Sequence, residues 1–271
     1  MAIVRRSAHL NVMVEAAEKA GRSLVRDFGE VENLQVSRKG PGDFVSTADH
    51  KSEKAIIAVL EKARPDYSFL LEESGEIKKK DSDFRWIVDP LDGTTNFLHG
   101  IPHWAISIAL EKEGEIVAGV IYDPIKDELY TAEKGTGAYM NNRRMRVAGR
   151  NALADSLITV GTEKSATFFG DISATASAVG GIRRMGSACL DLAYVASGRF
   201  DAFWERGLHP WDAAAGSLLV REAGGYVTDF DGGKNFVYGR SIIAANSSLH
   251  AELIAKLKTS GAKAPKASTA S

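Results

Sequence analysis

Trp86-Ile-Val-Asp89-Pro-Leu-Asp92-Gly-Thr-Thr95-Asn-Phe97 is the stretch on which the reading of this chain turns. Its three leading apolar residues predict a buried strand, Trp86–Val88, followed by two carboxylates three residues apart. Pro90 fixes φ between the acids, so both can turn toward one point with little backbone entropy left to lose. Gly93 permits a tight bend, and Thr94-Thr95 opens a helical turn whose N–H groups form an anion site. Carboxylates beside an anion site call for cations between them. An oxygen donor set selects a hard ion, Mg²⁺ first.

Outward from that stretch the pattern divides. Before it, Leu10, Met13, Val14, Ala17, Gly21, Leu24, Val25 and Phe28 keep the spacing of one helical face. A second helix starts at Thr47, taken as its N-cap, and ends at Pro65. Strands are expected at Ser68–Leu71, Ala105–Leu110, Ile116–Tyr122 and Glu128–Thr131, and the later ones are joined by turns too short for parallel return, so the sheet reads as antiparallel. After Asn151 strands and helices alternate: strands at Leu157–Val160, Ile182–Met185, Phe200–Trp204, Tyr226–Thr228 and Ile242–Ala245, helices at 165–178, Ser187–Ser197, Trp211–Ala223 and Ser248–Leu257. That alternation predicts an α/β half with a mainly parallel sheet. The expected division is a helix pair plus antiparallel sheet over 1–150, an α/β half over 151–258, and a disordered tail over 259–271. The class is α+β.

Composition narrows the function. Lys and Arg total 34 against 35 Asp and Glu, which argues against a nucleic-acid binder that relies on global positive charge. No apolar run approaches the ~20 residues of a membrane helix, and no signal peptide is read, so a cytoplasmic protein is expected. The single Cys189 excludes an internal disulfide or a cysteine zinc cluster, and it lies outside the acidic motifs. A Walker loop and a nucleophile elbow are absent. His99 and His103 have zinc-pair spacing, but Pro102 between them opposes the helix such a pair needs.

Other acids share the character of Asp89 and Asp92. Glu72 and Glu73 sit just past an apolar strand, Asp212 opens an Ala-rich helix, and Asp49 lies at a helix start. Taken singly, each also reads as a strand-end acid, a cap or a first-turn charge. Glu205 alone reads as a surface acid at a strand end, and Gly186-Ser-Ala188 as a helix start.

Two long segments carry a resemblance: the stretch quoted above and Trp211-Asp-Ala-Ala-Ala-Gly-Ser-Leu-Leu-Val-Arg-Glu-Ala-Gly-Gly225. They resemble the inositol monophosphatase family, within the lithium-sensitive, Mg²⁺-dependent phosphatases, and similarity runs from about Leu10 to Leu257. The resemblance implies a five-layer αβαβα sandwich and hydrolysis of a phosphomonoester, inositol 1-phosphate first. Other activities on the same site are a 3′(2′),5′-bisphosphate nucleotidase, a histidinol-phosphatase or a fructose-1,6-bisphosphatase-like enzyme. A protein- or RNA-associated scaffold role is the reading from another class.

The resemblance also assigns residues. Glu72, Asp89 and the Leu91 carbonyl would hold one Mg²⁺, and Asp89, Asp92 and Asp212 a second, with a third, weaker ion near Glu72. Thr94, backed by Asp49, and Glu72 would position the attacking water. Leu91, Asp92, Gly93, Thr94, Thr95 and Asp212 would surround the phosphate, with Lys39 near it. Gly186, Ser187, Ala188 and Glu205 would meet the alcohol. A homodimer is implied. The segment between Val160 and Ile182 is several residues shorter than the family pattern, in a region that reaches toward the substrate.

Overall fold

The computed structural model describes residues 6–30, 36–40, 43–162 and 166–259; of 36–40, 43–45, 166 and 259 it describes the backbone alone. The disordered tail expected over 259–271 lies, beyond Thr259, outside the described residues.

Helix α1 (Ala8–Phe28) packs along α2 (Thr47–Ala63), after the hairpin β1 (Val36–Gly40) and β2 (Asp43–Ser46). The N-cap of α2 is Ser46 rather than Thr47: its hydroxyl accepts from Ala48 N, while its own N–H donates to Asp49 Oδ2. The reciprocal pair satisfies more helix-end groups than a threonine one residue later would.

Next come β3 (Ser68–Leu71), β4 (Gly75–Ile77), β5 (Phe84–Asp92), the short α3 (Thr94–Leu98), β6 (Ala105–Lys112), β7 (Glu115–Asp123), β8 (Glu128–Glu133), β9 (Gly137–Met140) and β10 (Arg143–Arg144). They form one eight-stranded sheet ordered β10-β9-β8-β7-β6-β5-β3-β4. The meander is antiparallel as expected, but β3 runs parallel to β5. Strand β4 folds back on the outer side of β3 and leaves its inner edge to β5, which reverses that one pairing.

The second half contains β11 (Leu157–Val160), α4 (Ala166–Ala176), β12 (Gly181–Arg183), α5 (Ala188–Ala196), β13 (Ala202–Arg206), α6 (Pro210–Glu222), β14 (Tyr226–Thr228), β15 (Ser241–Ala245) and α7 (Ser247–Thr259). The sheet order is β12-β11-β13-β15-β14. It is mixed rather than mainly parallel: β11 is parallel to β12 and β13, while β15 is antiparallel to β13 and β14.

Strand β13 also starts two residues later than the sequence suggests and ends two later. The Asp201 carboxylate accepts from Leu157 N (2.8 Å) and Arg150 Nη1 (2.9 Å), so this residue anchors the start of β11 instead of joining a ladder. Glu205 therefore lies inside β13, opposite Ile242, and not beyond its end.

Three buried clusters define five layers. Alternate residues of β5 divide between two of them: Trp86 and Val88 face α1 and α2, and Ile87 faces α5 and α6. The second sheet then buries its other side under α4 and α7. The alanines of α6 let it close on the first sheet, where a Cβ on Gly119 of β7 would fall 3.1 Å from the Ala215 backbone. The central α5–α6 layer thus joins both sheets through one core.

Candidate metal centre

The end of β5 is irregular. Its register against β6 holds from Phe84 to Asp89, breaks over Pro90-Leu91, and resumes with Asp92 opposite Ala105. Pro90 has no N–H to give the ladder. Its carbonyl is instead taken by Ser52 Oγ of α2 at 2.7 Å, and Leu91 N donates to Asp89 Oδ1 at 3.0 Å. The break brings Asp89 and Asp92 to one end of the strand.

Gly93 then caps α3 with φ +93°, a left-handed conformation. A Cβ there would lie 3.1 Å from His103 O and 3.3 Å from Gly186 O, so both strain and space require glycine. Asn96 Nδ2 donates to His103 O and Met185 O, each at 2.8 Å, and ties this turn to the segment before α5.

That segment delivers two donors to Asp92. Ser187 Oγ lies 2.5 Å and Cys189 N 2.8 Å from its Oδ2. Asp212 enters from the first turn of α6, with His209 N donating to its Oδ2 at 2.7 Å. Glu72 follows β3 and is held at its backbone by Val88 O. Asp49 is fully buried: Oδ2 caps α2 through Ser46 N (2.8 Å) and Ser46 Oγ (2.6 Å), and Oδ1 receives Thr94 Oγ1 at 3.2 Å. The Thr94 hydroxyl also reaches Leu91 O at 3.0 Å.

The carboxyls disturb one another. Burial first, then the charges of Glu72, Asp92 and Asp212, push the Asp89 carboxyl well above its ordinary value. Burial, Asp92, Glu72 and Glu205 do the same to Asp212, against the His209 N–H. Asp92 is raised by burial and pulled back by Ser187 and the Cys189 N–H. Four acids converging this closely are unfavourable by themselves, and a bound divalent ion offsets that repulsion. The residues present fit such an ion, with carboxylate and carbonyl oxygens suited to a hard cation.

One expectation needs correcting. Cys189 is remote from the acidic motifs in sequence but not in space: its sulfur and the carboxylate oxygens of Asp89 and Asp92 lie within 4.8 Å of one another. The helix that begins at Ala188 must start against Asp92 to give it the Cys189 N–H, so the thiol follows. Burial holds that thiol well above its ordinary pKa, and its sulfur faces the Asp212 and Trp211 carbonyls at 3.4 and 3.8 Å. It is a packed thiol, not an exposed nucleophile.

Beside these acids a cleft of about 140 Å³ is lined by Gly186, Ser187, Ala188, Glu205, Asp212 and Asp191 among others. Thr162 N donates to Glu205 Oε1 at 3.0 Å. Thr95 is exposed on α3. The role expected for Lys39 rests on a side chain outside the described residues, though its backbone lies in β1. His99 ends α3, and the buried His103 has its pKa lowered to about 4 by burial and Lys126, a neutral core histidine.

Sequence reasoning missed Asp191. It is 1% exposed, its Oδ1 has no hydrogen-bond partner among the described residues, and burial with the Glu205 charge raises its carboxyl well above 3.8. The available signal was a lone acid inside the otherwise uncharged helix Ala-Cys-Leu-Asp-Leu-Ala-Tyr-Val-Ala. Gly161 and Thr162 were also missed, since nothing local marks a loop that meets Glu205 only after folding.

Among the described residues no helix is long and apolar enough to cross a membrane. An inositol-1-monophosphatase from Mesorhizobium japonicum is 59% identical over 258 residues, covering 93% of this chain and 97% of its own length. A protein named Nus factor SuhB from Pasteurella multocida is 42% identical over 254 residues, 92% of this chain and 95% of that one. The crystal structure of the extragenic suppressor protein SuhB from Bartonella henselae superposes with a TM-score of 0.91 at 58% identity, over 93% of this chain and 99% of that one. The profile of the inositol monophosphatase family matches residues 6–262, and with similarity running through both sheets and the acidic centre, the chain belongs to that family.

Proposed function

We propose that this chain is an inositol-phosphate phosphatase that hydrolyses inositol 1-phosphate, with Mg²⁺ as its cation. The observation that carries the reading is the convergence of Glu72 after β3, Asp89 and Asp92 at the end of β5, and Asp212 in the first turn of α6. Glu72, Asp89 and the Leu91 carbonyl would hold one ion, and Asp89, Asp92 and Asp212 another. Bound there, the divalent cations supply charge neutralisation for the phosphate and acidify water.

The chain's own residues do the rest. The Thr94 hydroxyl donates its hydrogen bond to Asp49 Oδ1 or Leu91 O, which leaves its oxygen lone pairs free to accept from a water O–H. Asp49, fixed by Ser46, keeps that hydroxyl in one orientation. Glu72 accepts the second hydrogen of the same water. The N–H groups after Gly93 are suited to the phosphate oxygens, with Lys39 adding positive charge, while Gly186, Ser187 and Ala188 meet the alcohol. Glu205 accepts hydroxyl groups of the alcohol. Catalysis is then mostly positioning and electrostatics.

Phosphate release from inositol 1-phosphate, a 3′,5′-bisphosphate nucleotide, histidinol phosphate and fructose 1,6-bisphosphate, with Mg²⁺ and with excess EDTA, tests this. Inositol 1-phosphate should be turned over fastest, with activity lost in EDTA and reduced by millimolar LiCl but not by matched NaCl. Full activity in EDTA would sink the metal reading. The reading includes a cytoplasmic homodimer, for which light scattering should give twice the 29.2 kDa chain mass.

The relative named Nus factor SuhB favours a second role on the same scaffold. If such a role exists apart from catalysis, cells carrying only the Asp92→Asn chain should keep it while phosphate release is lost.

A further inference from the structure

The two described residues that follow β11, Gly161 and Thr162, run directly against Glu205. A Cβ on Gly161 would fall inside the contact distance of Glu205 Cγ, Cδ and Oε1, far nearer than the ~3.5 Å at which carbon atoms touch. The backbone φ of Gly161 is not in the left-handed region, so its glycine is required by space and not by conformation.

Gly161 itself has little freedom to retreat. Its N–H donates to Trp204 O at 3.1 Å, and its carbonyl accepts Arg184 Nε at 3.0 Å. The Arg184 guanidinium lies over the Phe168 ring, 4.8 Å from its centroid, and Phe168 is fully buried against Trp204. The next residue, Thr162, grips Glu205 Oε1 through its N–H. Gly161 is therefore held from both of its peptide groups: a side chain added there displaces the Glu205 carboxylate rather than the backbone.

We propose that Gly161 is a specificity-determining residue, whose missing side chain sets where the Glu205 carboxylate stands in the cleft and so how the alcohol half of the substrate is received. The inference rests on the proposed alcohol-side role of Glu205. The acids proposed to hold metal stand on or beside other elements, β3, β5 and α6, and of them Asp212 feels the Glu205 charge, so the phosphate half should respond to this contact less than the alcohol half does. Gly161 positions; it touches neither the phosphate nor the reacting atoms. Any added methyl shortens the room for the alcohol and breaks the Thr162 bond to Oε1.

Four variants in Mg²⁺ decide it: Glu205→Gln, Glu205→Asp, Gly161→Ala and the double Gly161→Ala/Glu205→Asp. Each is assayed on inositol 1-phosphate and on p-nitrophenyl phosphate, and each is melted. Gly161→Ala should raise KM for inositol 1-phosphate by about tenfold or more with a smaller change in kcat, and change p-nitrophenyl phosphate by less than about threefold. Glu205→Asp should harm the parent chain but improve the Gly161→Ala chain, because a side chain one methylene shorter relieves the overlap. Equal losses on both substrates, or no rescue by Glu205→Asp, overturn the proposal. If Glu205→Gln acts on inositol 1-phosphate and Gly161→Ala is silent, this inference alone fails. If Glu205→Gln is itself silent, the reading of Glu205 fails and takes the inference with it. Should Gly161→Ala not fold, folding restored in the double variant supports the contact, and no restoration overturns it.

Discussion

The Thr94 hydroxyl donates to Oδ1 of Asp49 at 3.2 Å, while Oδ2 of the same carboxylate closes the cap of α2. Thr94 can therefore orient only as well as a helix terminus is held. Asp89, by contrast, is surrounded by Glu72, Asp92 and Asp212 and is proposed to be shared between two ions.

The two positions should differ in consequence. Asp89→Asn removes charge from the centre of the site and should lower kcat/KM by about a thousandfold or more. Thr94→Ala leaves the acids in place, and another water can cover part of its role, so a loss of about ten- to a hundredfold is expected. Steady-state kinetics at saturating Mg²⁺ check the order. A reversed order would remove Asp89 from the shared position.

Metal and stability are linked through the same acids. Asp89 and Asp212 have carboxyls raised above 3.8 by burial and mutual charge. The folded chain without metal thus holds protons that the unfolded chain releases, and its stability falls as pH rises above about 4. A saturating divalent ion should raise Tm by about 5–10 °C at pH 8 and flatten that dependence. Scanning calorimetry in Mg²⁺ and in EDTA measures both. Identical curves would mean that these residues bind no cation.

Asp191 adds its own pH dependence. Its carboxyl is raised by burial first and by the Glu205 charge second, so its contribution to stability is also lost as pH climbs above 3.8. Asp191→Asn keeps the shape and removes the ionisation. At pH 8 that variant should melt about 2–4 °C higher than the parent, and its Tm should decline less between pH 5 and 8. A lower Tm at every pH would show that the charged form is stabilised by contacts.

Cys189 should resist thiol reagents. It is fully buried with its pKa raised, and a thiolate is the reacting species. Ellman's reagent should titrate one thiol in denaturant and almost none in the folded chain over the same minutes. Rapid reaction in the folded state would indicate that α5 opens readily.

The sequence carried the strand-turn-helix at Trp86–Phe97 because its signals are local: three apolar residues, a proline, a glycine, two threonines. It carried the helices and the antiparallel meander for the same reason. The parallel pairing of β3 with β5 was hidden, since it depends on which edge β4 occupies. Asp49 and Asp212 were legible both as caps and as candidate site acids. Asp49 shows how the two readings coexist: one oxygen caps while the other faces Thr94. The cap oxygen of Asp212 is likewise its Oδ2, with the carboxyl still among the acids. Glu205 was named but misplaced by strand register, because the Asp201 anchor that shifts β13 is formed with residues some fifty and forty-four positions away. Gly161 shows no local mark at all, since its partner arrives from another strand.

The Ser187 hydroxyl that holds Asp92 spans 95 residues of chain. Closing so long a loop is slow compared with forming a helix or a hairpin. During synthesis Glu72, Asp89 and Asp92 leave the ribosome well before α5 and α6 do, so an incomplete chain displays acids without the groups that orient them. Competence to grip a cation should thus arrive late, with the docking of the central helical layer. A chain truncated before Ser187 should therefore bind Mg²⁺ no better than any acidic peptide, which leaves the cation as a reporter of completed folding.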